Sequence, residues 1–244
     1  IYLDMFFFEI FIIIFLIFFQ SIFGIGLLLF GTPTFLLLGY NFLEVLNLLL
    51  PMSVTISLIQ FFSSKKKNKQ FKSDFNIYCL PFLTISLYIV IRNINQIDLE
   101  FYIALIIIFF SIISLNKKKI SYLKNFNSNK QKIFLSILGI IHGLTNLGGS
   151  LLTVLSSTIN KQDKHKIRYC ISYGYLAMGI FQISGLYIFS DNRIETVNLL
   201  YLILVFLIYF PTQKIFSNFK SEKFSKFLNM LALFYGVIIL IKNI

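Results

Sequence analysis

Long apolar runs alternate with short polar segments along the whole chain, and this pattern predicts membrane-spanning helices. The unbroken runs cover residues 42–62, 77–91, 99–115, 167–189, 197–210 and 227–241. The first of them matches the ~20 apolar residues that a helix needs to cross a bilayer, and we interpret the others as further spans. The run that precedes them, residues 5–19, has no basic flank and no small-residue cleavage site, so it predicts a retained membrane segment rather than a signal peptide.

Two other apolar regions are interrupted by polar and glycine-rich stretches. Residues 5–30 contain Gln20-Ser21 and Gly24-Ile25-Gly26, and residues 133–159 contain the stretch from Ile141 to Ser150. A backbone that stops being helical at membrane depth is stable only where protein or a water-filled cavity satisfies its amides and carbonyls. We therefore expect the stretch around residues 142–150 to be the functional site.

Composition agrees with a membrane protein. Hydrophobic residues make up 57% of the chain and charged residues 13%, with a mean hydropathy of +0.80, whereas a soluble domain carries about 25% charged residues. The net charge of +12 lies in short clusters between apolar runs, as in cytoplasmic loops, so a lipid bilayer and not nucleic acid is the expected partner. The expected location is a cell membrane, crossed several times, such as the bacterial inner membrane.

The placement of the basic loops indicates a re-entrant segment. Basic clusters occur at residues 65–72, 117–132, 161–168 and 214–226. If residues 133–159 crossed the membrane once, the clusters on either side of them would face opposite compartments, against the positive-inside rule. A hairpin avoids this conflict, because about nine residues at ~1.5 Å each reach ~14 Å, roughly the midplane of a ~30 Å core, before the chain returns.

An internal repeat relates the two interrupted regions. With an offset of 122, Gly26 aligns with Gly148, and Gln60 aligns with Gln182. The loop charges invert, since residues 34–46 hold no Lys or Arg whereas residues 156–168 hold four. Similar hydropathy with inverted charge is typical of inverted-topology repeats. The prediction is one all-α integral membrane domain, a multi-pass helical bundle over residues 1–244, with repeats at 1–122 and 123–244. Each repeat has a broken re-entrant first segment and three spans.

The glycine-containing stretches at residues 23–33 and 143–150 resemble the paired glycine motifs of the TauE/SafE family of sulfite or organosulfonate exporters. The resemblance covers the whole chain in layout and length. It implies a multi-pass transporter of small sulfur-containing or related carboxylate anions. Leu27 and Leu28 depart from the family pattern, which continues with further glycines there.

Physical reasoning also favours an anion at the second break. A helix that begins at about Gly148 directs free amides and its positive dipole end toward the midplane. The candidate substrate-binding residues are Gly24, Gly26, Thr32, Pro33, His142, Thr145, Asn146, Gly148, Gly149 and Ser150. The alternative is that these glycines only allow close helix packing.

His142 is the sharpest single candidate, because ionisable groups at membrane depth are expensive and usually functional. Two interpretations are open. Its titration range suits proton coupling, or the neutral ring binds a freed carbonyl and caps the first half-helix.

Other functional classes are less well supported. No HExxH, GxSxG or Walker A pattern is present, and no Asp or Glu appears well inside a span, so an intramembrane enzyme is not expected. Cys79 and Cys170 lack metal-ligand spacing, and neither a metal nor a cofactor is expected. The expected function is secondary transport of sulfite, sulfonate or a related organic anion by alternating access. A passive channel or a structural membrane subunit stays as the alternative.

Overall fold

The computed structural model describes residues 2–64, 66–93, 128–160, 163–190 and 196–218. All regular structure in these ranges is helical, which confirms the prediction of a multi-pass all-α membrane protein. In chain order the helices are α1 (Tyr2–Phe23), α2 (Leu27–Leu37), α3 (Phe42–Ser63), α4 (Lys69–Tyr78), α5 (Leu80–Arg92), α6 (Ser128–Thr145), α7 (Gly149–Ile159), α8 (Lys164–Phe189) and α9 (Thr196–Asn218). The predicted spans at 99–115 and 227–241 lie outside the described residues.

Four of the described segments are long and apolar enough to cross a membrane, namely Phe42–Ser63, Lys69–Arg92, His165–Phe189 and Asn198–Phe216. The second of them combines α4 and α5. Backbone hydrogen bonds continue through their junction, because the Cys79 amide donates to Phe75 and the Cys79 carbonyl accepts from Leu83. The longer apolar runs of the sequence therefore correspond to the crossing helices.

Helices α1 and α2 form a hairpin whose two ends lie together. The Tyr40 hydroxyl, just after α2, donates to the Glu9 carboxylate near the start of α1 at 2.8 Å. Tyr201 near the start of α9 donates to the same carboxylate at 2.9 Å. The chain thus enters and leaves this hairpin at one end of the bundle, which we call the Glu9 end.

Helices α6 and α7 form a second hairpin at the other end. Gln131 of α6 donates to Asp74 of α4 at 3.3 Å, and Asn160 after α7 accepts from Asn68 at 3.4 Å. We call this the Asn68 end. Helix α3, with 22 residues and a length of about 33 Å, separates the two ends. The entering helix α6 has 18 residues instead of the nine or so expected. It begins before residue 133, at Ser128, and it continues past residue 141 to Thr145.

Polar residues start α3 and α8 at equivalent positions. Asn41 and Glu44 form a capping box at the start of α3, so the Glu44 carboxylate is used in capping the helix. Asp163, which is 122 residues after Asn41, accepts from the amides of His165 and Lys166 at the start of α8. Lys66 also pairs with Asp163 at 2.6 Å, and this hydrogen bond lowers the pKa of the carboxyl to about 2.

Glycines allow the helices around the second hairpin to pack closely. A Cβ at Gly139 would overlap the Cys79 carbonyl, and one at Gly143 would overlap the Ser86 hydroxyl. On the outside of the bundle, large apolar side chains are exposed, including Phe11, Phe62, Ile188 and Leu207. Such a surface is stable when lipid covers it. Small residues at helix contacts and apolar residues outside are the pattern of membrane bundles.

Candidate anion site at the helix breaks

The second break lies between the end of α6 at Thr145 and the start of α7 at Gly149. Asn146 reverses the chain with a φ of 63°, and it is the only non-glycine residue with positive φ in the described ranges. Asparagine is among the residues that tolerate this conformation best. Its amide still donates to the His142 carbonyl at 2.8 Å, so α6 keeps its hydrogen bonding up to the reversal.

His142 holds the start of α7 with its ring. Its Nδ1 accepts from the Gly148 amide at 3.1 Å, and its Nε2 lies 3.2 Å from Oε1 of Gln182. Because a backbone amide can only donate, Nδ1 carries no proton and Nε2 is the donor to Gln182. The ring is therefore neutral. It binds a freed amide of the second helix and not a freed carbonyl of the first, which differs from the capping arrangement considered from sequence.

A chain of buried hydrogen bonds joins the two hairpins. Gln182 of α8 donates to Oδ1 of Asn146 at 3.2 Å, and Nδ2 of Asn146 donates to the Thr32 hydroxyl of α2 at 2.9 Å. All of these side chains are fully buried. Buried polar networks with every member satisfied fix a unique arrangement. The contact between Asn146 and Thr32 is therefore the direct polar link between the tip of one hairpin and the body of the other.

The two glycines at the start of α7 are needed for close approach. A Cβ at Gly148 would lie 2.7 Å from Cβ of His142, and one at Gly149 would overlap the hydroxyl oxygen of Tyr175. The amides of the first helical turn have no acceptor within their own helix. His142 satisfies the one at Gly148, and the following amides of this turn are directed into the break. This end of α7 can therefore hold an anion.

Thr145 and Ser150 are bonded locally. The Thr145 hydroxyl donates to the Ile141 carbonyl at 2.7 Å and accepts from the Leu147 amide at 3.3 Å. The Ser150 hydroxyl lies 3.5 Å from the Leu147 carbonyl, a long and weak contact. The Thr145 hydroxyl is thus fully used in stabilising the turn, whereas the Ser150 hydroxyl can rotate toward another acceptor.

The first break uses glutamines in place of histidine. Gly24 and Gly26 have φ values of 78° and 139°, which only glycine adopts without strain. Gln20 accepts from the Leu27 amide through Oε1 at 3.3 Å and donates to Oγ of Ser53 at 2.9 Å. Gln60 of α3 donates to the Gln20 carbonyl at 2.9 Å. The unwound backbone is thus satisfied by two amide side chains.

The two breaks match at the offset of 122 residues. At both, a residue with positive φ reverses the chain, a side chain four residues earlier accepts a freed amide, and a glutamine from a following helix braces the turn. The matched pairs are Gly24 with Asn146, Gln20 with His142, and Gln60 with Gln182. Only the last of these pairs is visible as an identity in the sequence.

The two breaks lie at similar depth along α8. A Cβ at Gly24 would lie 3.2 Å from Ile171, and Gly149 contacts Tyr175, one turn further along α8. The four-residue separation of these two positions corresponds to about 6 Å along the helix axis. The contact points are the eighth and the twelfth of the 26 residues of α8, so both lie inside the helix and away from its ends.

Arg168 is a residue at the first break that sequence reasoning placed in a basic loop. Its Nη2 donates to the Ser21 carbonyl at 3.3 Å and to Oε1 of Gln213 at 2.7 Å, and its guanidinium stacks on the Phe216 ring at 4.0 Å. The last carbonyls of a helix attract cations, and Ser21 is in the last turn of α1. Arg168 therefore stabilises the first break from the Asn68 end.

Glu9 is a carboxylate at one end of the bundle whose partners the sequence does not reveal. It is half-buried within α1 and accepts from two tyrosine hydroxyls. The apolar run around it hid its partners, which come from residue 40 and from α9.

The predicted site residues fall into two groups. Thr32, His142, Asn146, Gly148 and Gly149 lie in or beside the network at the second break. Gly24 and Gly26 belong to the first break, and Pro33 lies inside α2 next to Thr32.

A helical bundle with two hairpins that begin at opposite ends and unwind at its centre has the architecture of a membrane transport protein. A family model described as "Sulfite exporter TauE/SafE" matches residues 9–239. The chain belongs to this family, and it is therefore a membrane transport protein of the sulfite and sulfonate type. No curated protein and no solved structure matches it.

Proposed function

We propose that the protein is a secondary transporter of a small anion such as sulfite, a sulfonate or a related organic anion. The observation that carries the proposal is the start of α7, where His142 holds the Gly148 amide and the amides of the following first turn have no acceptor within their own helix. Helix N-termini at a midplane break bind anionic groups in transporters of inverted-repeat architecture. The substrate would bind at the second break, beside Asn146 and Thr32.

Alternating access around the paired breaks is the proposed mechanism. The matched breaks support repeats at residues 1–122 and 123–244. The site between the repeats would open to each side of the membrane in turn. The Asn146 to Thr32 bond of 2.9 Å joins the hairpins of the two repeats. A rocking motion of one repeat against the other would break this bond and expose the second break to one compartment.

Coupling to a proton or another ion belongs to the same proposal. His142 uses both ring nitrogens to hold Gly148 and Gln182, so a proton on its Nδ1 would release α7. We place the protein in the cell membrane of a bacterium, with the Asn68 end in the cytoplasm because its loops are basic.

Uptake into proteoliposomes with a panel of radiolabelled or competing anions tests the proposal. We expect saturable sulfite uptake by the wild-type protein, and loss of uptake in Gly148→Leu and Gly149→Leu with normal membrane insertion. Gly39→Asn is the control, because a Cβ at Gly39 meets nothing within 4 Å and asparagine is among the residues that tolerate its positive φ of 95° best. Normal uptake by both leucine variants would refute the site. Uptake that rises linearly with concentration would indicate a passive channel instead.

A further inference from the structure

The Tyr175 hydroxyl is a buried donor whose role the proposed function leaves unexplained. Tyr175 is in α8, its exposed fraction is 0%, and its hydroxyl has no hydrogen-bond partner among the described residues. Leaving a buried hydroxyl unpaired destabilises a folded protein. By contrast, the hydroxyls of Tyr40, Tyr173, Tyr201 and Tyr209 all have a protein partner.

This hydroxyl is directed at the start of α7. It lies against Gly149, where only the absence of a side chain makes room for it. The ring of Tyr175 also meets the His142 ring edge to face, with centroids 6.1 Å apart, and His142 in turn holds Gly148. The hydroxyl and the first-turn amides of α7 are thus two sets of unused donors at one place.

We propose that the Tyr175 hydroxyl and the first-turn amides of α7 form a subsite for an oxygen of a singly charged oxyanion. This inference rests on the proposed function and adds a residue and a charge state to it. An oxyanion such as a sulfonate has several acceptor oxygens, so it can take the hydroxyl and the amides together. Binding then gives the hydroxyl the partner that the protein does not supply.

The charge state follows from the donors that surround the subsite. Tyr175, His142, Asn146 and the backbone amides are all neutral donors or acceptors, and the ring of His142 is neutral because its Nδ1 accepts an amide. Arg168, at the first break, is already bonded to Ser21 and Gln213. The desolvation cost of an ion grows with the square of its charge, so a dianion loses about four times as much as a monoanion here. Neutral donors therefore select the monoanion.

The competing interpretation is that Tyr175 only fills space, as phenylalanine would. Tyr175→Phe separates the two, because it removes an oxygen that has no protein partner and leaves the ring in place. Tyr173→Phe is the matched control: its hydroxyl bonds Asn76 at the groove between α4 and α8, away from the breaks.

The experiment measures saturable sulfite uptake into proteoliposomes and the melting temperature of each purified protein in detergent. We expect Tyr175→Phe to melt at or above the wild-type temperature and to need about 10- to 100-fold more sulfite for half-saturation, as for loss of a hydrogen bond to a charged group. Tyr173→Phe should keep the wild-type half-saturation. Methanesulfonate, a monoanion, should compete with sulfite at least about tenfold better than sulfate, a dianion.

Three results would overturn the inference. They are wild-type half-saturation in Tyr175→Phe, a melting temperature of that variant well below wild type, and equal competition by sulfate and methanesulfonate. Each would leave the proposed function intact provided that the wild-type protein shows saturable uptake. Absence of saturable uptake by the wild-type protein would instead refute the proposed function itself.

Discussion

Replacing His142 tests whether this ring is a structural element of the second break or a chemical participant. His142→Ala would leave two buried groups without partners, the Gly148 amide and Oε1 of Gln182. Each unpaired buried group costs about 1–3 kcal/mol, so the variant should lose about 2–6 kcal/mol of unfolding free energy, before any contribution from the cavity.

His142→Gln should restore most of this loss. Gln20 occupies the equivalent position at the first break, where its Oε1 accepts the Leu27 amide and its Nε2 donates to Ser53. A glutamine at 142 can likewise accept from Gly148 through Oε1 and donate to Gln182 through Nε2. We expect it to lie within about 1–2 kcal/mol of the wild-type protein, since one hydrogen bond of ordinary strength is at stake.

Thermal unfolding in detergent and sulfite uptake into proteoliposomes provide the two measurements. The expected order of stability is wild type, then His142→Gln, then His142→Ala. The glutamine variant should retain downhill uptake but lose its dependence on pH, because glutamine cannot take up the proton proposed for His142. A glutamine variant as unstable as the alanine variant would contradict the hydrogen-bond assignment. A stable glutamine variant without uptake would show that the ring itself takes part in transport, as a proton carrier does.

Two further predictions concern the hairpins. Thr32→Val should lower the unfolding free energy by about 1–3 kcal/mol, because it leaves Nδ2 of Asn146 unpaired. The control Thr158→Val removes only a bond to Val154 within α7 and should cost less. Equal melting temperatures for the two variants would contradict the hydrogen bond between Asn146 and Thr32. In a background without Cys79 and Cys170, single cysteines at the exposed positions Lys67, Ser128 and Lys166 should react with a membrane-impermeant maleimide from one side, and a cysteine at Leu38 from the other. Labelling of Ser128 and Lys166 from opposite sides would mean that residues 133–159 cross the membrane once.

The breaks themselves could be located from the sequence because polar and small residues are conspicuous in an apolar chain. Gly148 and Gly149 follow Asn146 between two apolar runs. An unbroken helix through this stretch would place the polar side chain of Asn146 at membrane depth without a purpose that the sequence shows. The basic loops around them then indicated a hairpin. These are local signals, and they need no knowledge of which helices are neighbours.

Partners across the bundle could not be assigned in the same way. Gln20 appeared only as an interruption of an apolar run, and its equivalence to His142 is hidden because the two residue types differ. Tyr175 looked like any other tyrosine in a span, and its unpaired hydroxyl depends on how α8 is rotated against α7. Arg168 looked like a loop cation, although its long side chain reaches back to the last turn of α1. The partners of these three side chains depend on how each helix is rotated and on how far each side chain reaches.

Counterflow most directly tests the claim that this protein carries an anion by alternating access. Proteoliposomes preloaded with unlabelled sulfite are diluted into a trace of labelled sulfite, beside vesicles that contain none. A carrier that exposes one site to each side in turn should accumulate label transiently in the preloaded vesicles, above its final equilibrium level, and Gly149→Leu should abolish this excess. Identical, monotonic entry of label into preloaded and empty vesicles would contradict the account.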